Sequence, residues 1–188
     1  MTRPLSIVGT PVWGPFSWLG AFVAILAFAG DRLHKWWTLN VLDLPQVGRI
    51  QLTQNFDIVM AWNKGVSYGL FQAETTAGRI GLVVFALAIV IGLGVWLARV
   101  ANRPIAIAIG LIIGGALGNV LDRLVYGAVA DFFSFHAFGF YWYIFNVADI
   151  WIAIGVGLIL LESFFPTLFA RRGEENSGSD GSTGPQSS

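Results

Sequence analysis

The chain has 188 residues, 55% of them hydrophobic and 12% charged, with a mean hydropathy of +0.68. That is too apolar for an ordinary soluble domain, so the composition predicts a polytopic membrane protein. A formal net charge of zero gives no footing for a nucleic-acid partner, and zero cysteines with only His34 and His136 exclude disulfides, thiolate nucleophiles and a Cys- or His-rich metal site.

Met1 to Pro15, with Arg3 as its only charge, reads as an extramembrane lead-in. Phe16 to Gly30 is the first apolar run. The tripeptide Ala27-Phe28-Ala29 could mark a signal-peptide cleavage site, but the nearly uncharged lead-in argues for an uncleaved first helix over about 12–32. Asp31 and Lys35 follow four apart on one helix face, where they can pair or simply neutralise each other at the membrane edge. Trp36 and Trp37 mark the interface.

From about 38 to 77 the chain leaves the bilayer in a segment too long for a bare connector, which reads as a small β element lying on the membrane surface. Arg49 to Thr53 alternates polar and apolar, and Phe56 to Trp62 is rich in β-formers. Asn63-Lys64-Gly65-Val66-Ser67-Tyr68-Gly69 then breaks the pattern with a turn that exposes backbone and a side-chain amide. The second span covers about 78–98, with Arg79 as its only charge. After the tight turn Arg99 to Arg103, Pro104 opens a third, glycine-rich span to about 121, in which Gly110 and Gly114 have the GxxxG spacing.

That span ends in Asn119, Asp122 and Arg123. Tyr126 to Tyr143 contains Asp131 and His136 among many aromatics of the kind that line a lipid boundary. The fourth span, about 143–165, begins with Asn146 and Asp149 on one face. Glu162 lies thirteen residues on, roughly 20 Å along a helix and so near the opposite surface. The polar, Gly/Ser-rich tail 171–188 is expected to be a disordered cytoplasmic extension of a single membrane domain spanning 1–170.

Four such spans carry Asp31, Lys35, Asn63, Asn119, Asp122, Arg123, Asp131, Asn146 and Asp149 to one membrane face. Independent caps and solvated residues have no reason to segregate in this way. Lys and Arg divide almost evenly between the two faces, so charge alone leaves the orientation open, and only Arg99 and Arg103 in the short loop lean towards cytoplasmic termini. Without a cofactor or a metal, chemistry falls to carboxylates. Two held close cannot both ionise easily, so one keeps a proton to donate to a carbonyl while the other activates water. Asp131 and Asp149 are the candidate pair.

The segments DRLHK, NKGVSYG, GGALGNVLDRL, VADFF and FNVADIWI resemble, in order and spacing, five sequence blocks of bacterial lipoprotein signal peptidase (signal peptidase II). The resemblance covers roughly Asp31 to Glu162. It implies a membrane α-helical aspartic endopeptidase with four transmembrane helices and a small extracytoplasmic β-cradle between helices 1 and 2. Such an enzyme cuts the signal peptide from a diacylglyceryl-modified prolipoprotein just before the lipidated cysteine. It implies Asp131 and Asp149 as the catalytic dyad, with Asp31, Lys35, Asn63, Gly65, Asn119, Arg123 and Asn146 supporting the site or binding substrate.

The partners so implied are the lipid-modified precursor and membrane lipids. The setting is the bacterial inner membrane, with a multi-pass monomer whose site lies near the extracytoplasmic face. Arg32 stands where the family usually has Gln, and Val66-Ser67-Tyr68 replaces a more usual Ala-Ala-Phe. Two other readings compete. A small proton-coupled transporter predicts polar groups at mid-membrane or on both faces, and a non-catalytic assembly protein leaves two aspartates at matched depth without a purpose.

Overall fold

The structure, a computed structural model, describes residues 13–65, 75–138 and 140–165. Most of the lead-in, Val66-Ser67-Tyr68 and the tail lie outside the described residues. In chain order the elements are α1 (Ser17–Trp36), a π-helical turn (Trp37–Val41), α2 (Leu44–Val47), β1 (Arg49–Gln51), β2 (Phe56–Asn63), α3 (Thr76–Leu97), α4 (Arg103–Val125), β3 (Val129–Ala137), β4 (Phe140–Phe145) and α5 (Val147–Phe164). Helices α3, α4 and α5 are long and apolar enough to cross a membrane. Helix α1 is also long, but its last turns carry Asp31, Arg32 and Lys35.

Helix α4 is central and packs against α1, α3 and α5. Its glycines permit this, because a side chain would collide with neighbouring backbone. A Cβ on Gly114 would run into the carbonyl oxygen of Ala24 on α1. One on Gly115 would stand 2.5 Å from the carbonyl oxygen of Ala148 on α5. The GxxxG pair thus faces α1, and the neighbouring glycine brings the start of α5 against α4 at the level where Asp149 emerges.

The sheet is larger than the sequence suggests. It has four antiparallel strands in the order β1-β2-β3-β4, and two of them come from the aromatic stretch after α4 rather than from the segment between α1 and α3. Asp131 therefore sits on a strand, opposite Ala61 of β2. Residues Val129 to Phe132 are all buried, so the strand shows no polar/apolar alternation at its start, and its aromatics mimic an interfacial belt. Leu44, Ala130 and Phe132 form a small core beneath the sheet with Ile50, Ile58 and Met60. This core fixes the entry to β3, and with it the position of Asp131.

Helix boundaries shift accordingly. Helix α1 continues to Trp36, past its charges, because they neutralise one another inside the protein. Helix α4 runs on to Val125, and β4 reaches Phe145, so α5 starts only at Val147.

Candidate active site

The N-terminus of α5 builds half of the site. Asn146 precedes the helix, its side-chain oxygen accepts from the Asp149 N–H at 3.1 Å, and Asp149 Oδ2 accepts from the Asn146 N–H at 3.2 Å. This capping box satisfies two N–H groups left free at the helix start. It also locks the Asp149 carboxylate in place. The remaining Asp149 oxygen, Oδ1, accepts from Asn119 Nδ2 at 2.9 Å, and the Tyr143 hydroxyl is 3.5 Å from Oδ2.

Asp131 is held differently. It is 2% exposed, and each of its oxygens accepts from an amide: Asn63 Nδ2 at 3.0 Å from the end of β2, and Asn146 Nδ2 at 2.6 Å. Asn146 thus touches both carboxylates, through its side-chain nitrogen and its backbone N–H respectively. Asn63, Gly65, Asn119, Arg123, Asp131, Tyr143 and Asp149 line one cleft of about 110 Å³ with Val129. Arg123 closes its edge, donating at 3.0 Å to the Gly65 carbonyl and at 3.3 Å to that of Asn119.

Burial pushes the Asp131 carboxyl up from an ordinary 3.8 to about 7, helped by the negative charge of Asp149 and only partly offset by the Asn146 and Asn63 amides. Between 3.8 and 7 the folded chain keeps a proton that the unfolded chain has lost. The stability this residue confers therefore declines as pH rises through that window, and is lost above it. Each Asp131 oxygen uses one lone pair on an amide, which leaves the other for a proton directed into the cleft.

A balanced ion network lies behind the cleft. Lys35 Nζ, 2% exposed, is 3.0 Å from Asp31 Oδ2, 2.6 Å from Asp122 Oδ2 and 3.3 Å from Asn119 Oδ1. Arg32 Nη2 reaches Asp31 at 3.0 Å and Asp122 at 2.6 Å. The carboxylates also accept backbone N–H groups: Asp31 from Ala148 at 3.1 Å, and Asp122 from Ala130 at 3.2 Å. The network ties α1 to α4 and to the residues just before Asp131 and Asp149. Lys35 hydrogen-bonds to neither member of the pair; its hydrogen-bonded path to Asp149 runs through Asn119, and its charge is felt at both carboxyl groups.

The nine site residues implied by the resemblance all meet here: six line the cleft, Asn146 lies beneath it, and Asp31 and Lys35 stand behind. Arg123 takes the Gly65 carbonyl, whereas Asp122 pairs with α1. Sequence reasoning missed the parts played by Asp122, Arg32 and Tyr143. The run Asp31, Arg32 and Lys35 has one acid for two bases, and that imbalance was the available sign that a second buried carboxylate must face it. Tyr143 gave no such sign among its aromatic neighbours.

The pair's arrangement predicts a pH response. Activity that requires the Asp131 proton falls as pH is raised through about 7. Asn63→Ala removes a donor that favours the ionised form, so the falling limb moves to higher pH. A pH–rate profile of the two proteins checks this, and a limb that stays put or moves down counts against it.

Comparison with known proteins gives a consistent picture. A family model described as signal peptidase (SPase) II matches residues 23–165. A lipoprotein signal peptidase from Methylobacterium radiotolerans is 56% identical over 147 residues, covering 78% of this chain and 86% of its own. One from Beijerinckia indica is 44% identical over 146 residues, covering 78% and 87%. A solved bacterial membrane enzyme, determined by the in meso method at 2.3 Å resolution, superposes with a TM-score of 0.68 at 25% identity, over 83% of this chain and 93% of that one.

Proposed function

This chain belongs to the signal peptidase II family, and from that premise we propose that it hydrolyses lipoprotein precursors with Asp131 and Asp149 as its water-activating pair. Its activity is that of a signal peptidase acting on prolipoproteins. The observation that carries the mechanism is that two carboxylates from different elements open into one cleft, each held by side-chain amides rather than by a cation.

Asp131, buried and protonated near neutrality, is the acid, and Asp149, the less buried of the two, is the base. A water between them loses a proton to Asp149 as its oxygen attacks the scissile carbonyl carbon, and Asp131 gives its proton to the carbonyl oxygen. The gem-diol so formed collapses when Asp149 returns its proton to the leaving amine and Asp131 recovers one from a hydroxyl. Asn63, Asn119 and Asn146 keep the carboxylates aimed without adding charge, and Arg123 holds the Gly65 turn at the edge of the cleft.

On this reading α1 is a fourth span, the site lies at the extracytoplasmic edge of the inner membrane, and the working unit is a monomer. The cut falls just before the lipidated cysteine, so the substrate's diacylglyceryl group stays in the bilayer while the peptide enters the cleft. Gel-shift processing by purified protein is expected to cleave a lipidated precursor at least about tenfold faster than the unlipidated one, the lipid supplying roughly 1.4 kcal/mol or more of binding. Equal processing of both forms would speak against a site served from the membrane.

A further inference from the structure

A second cleft, of about 170 Å³, adjoins the catalytic one and shares Arg123 with it. Arg79 from the first turns of α3, Ile80, Val83 and Leu124 complete its walls. Ile80 and Leu124 are exposed, as residues facing lipid would be. Arg123 spends its two terminal nitrogens on backbone carbonyls, and its Nε is buried without a partner. Arg79 is half-buried, and its guanidinium has neither a hydrogen bond nor an ion pair among the described residues.

Among the described residues the buried ion pairs behind the cleft are satisfied without Arg79. Asp31 and Asp122 answer Arg32 and Lys35, and the single charge of a proton-sharing pair answers Arg123. Among the described residues no carboxylate answers Arg79, and its position near the N-terminus of α3 is unfavourable for a cation but favourable for an anion. Gly127, at φ +80°, leaves the space the guanidinium needs, since a Cβ there would stand 2.9 Å from Arg79 Nη1. A half-buried cation, an unused buried N–H and apolar walls open to lipid call for a ligand with an anionic head and acyl chains.

We propose that the cleft between the start of α3 and the end of α4 binds an anionic phospholipid, its phosphate held by Arg79 and Arg123 and its chains running along Ile80, Val83 and Leu124. The proposal rests on the reading of this face as a bilayer edge. The bound lipid neutralises Arg79 and steadies Arg123, the residue that also holds the Gly65 turn of the catalytic cleft. The diacylglyceryl group of the substrate is the competing occupant, but its esters are neutral and leave the charge of Arg79 unanswered.

The test titrates detergent-purified full-length protein with phosphatidylglycerol or phosphatidylcholine and counts bound lipid by native mass spectrometry, so that the readout needs no cleavage and stands apart from a failure of the peptidase reading. The wild type is expected to prefer phosphatidylglycerol. Arg79→Gln should weaken that binding about tenfold with phosphatidylcholine unaffected, and Arg79→Lys should retain most of it, because a lysine still binds phosphate as a point charge. Equal binding of phosphatidylglycerol by wild type and Arg79→Gln overturns the proposal. So does a KM for lipidated precursor raised by Arg79→Gln in phosphatidylcholine nanodiscs with phosphatidylglycerol binding unchanged, which assigns the cleft to the substrate's own lipid.

Discussion

Asp149→Asn and Asp131→Asn are each expected to lower the rate of precursor cleavage by about a thousandfold or more while the protein still inserts and folds, since acid and base steps each contribute on the order of a hundred- to ten-thousandfold. The two variants fail for different reasons. In Asp149→Asn the new side-chain oxygen can still accept the Asn146 N–H and so keep the capping box, but an amide cannot take a proton from water. In Asp131→Asn the new amide occupies a place where both carboxylate oxygens accept from amides, so one of the neighbours, Asn63 or Asn146, must turn, and the proton donor is gone. Gel-shift processing by the purified variants, with a melting curve alongside, is the measurement. Turnover retained in either variant would remove that residue from the chemistry.

Asp122→Ala is expected to act on stability rather than on the chemical step. Asp122 is fully buried, and its removal leaves Arg32 and Lys35 with only Asp31 to answer two positive charges. Taking one partner from such a buried network costs about 3–5 kcal/mol. It also orphans the Ala130 N–H, directly beside Asp131. The double variant Lys35→Met with Asp122→Leu should recover much of that stability, because the uncompensated charge is removed together with its partner. Thermal unfolding of the three proteins in detergent decides the matter. A single variant as stable as the wild type, or a double variant worse than the single, would show that the network does not carry the helix contacts.

Much of the site could be read from sequence because its residues lie where helices end. Asp31 and Lys35 are one turn apart, Asn119 and Arg123 likewise, and Asn146 and Asp149 stand at capping-box spacing, so periodicity alone places each pair on one face. The partnership between α1 and Asp122 was not legible in the same way. It joins Arg32 to a residue 90 positions away, and only the charge imbalance of the first run hinted at it. The strands β3 and β4 were hidden for another reason. A strand buried on both faces loses its alternation, as Val129 to Phe132 shows, and a run of aromatics reads equally well as a membrane boundary.

The pairing of β2 with β3 sets an order of events during biosynthesis. Residues 56–63 leave the ribosome long before their partners, and the edge they present to β3 must wait until α3 and α4 have been made. Asp149 follows later still, at the head of the last helix. A nascent chain therefore holds Asn63 and the α1 charges early but lacks Asp149 until α5 has been made, and on the proposed mechanism a protease inserted piecemeal into a membrane full of other newly made chains is silent until then.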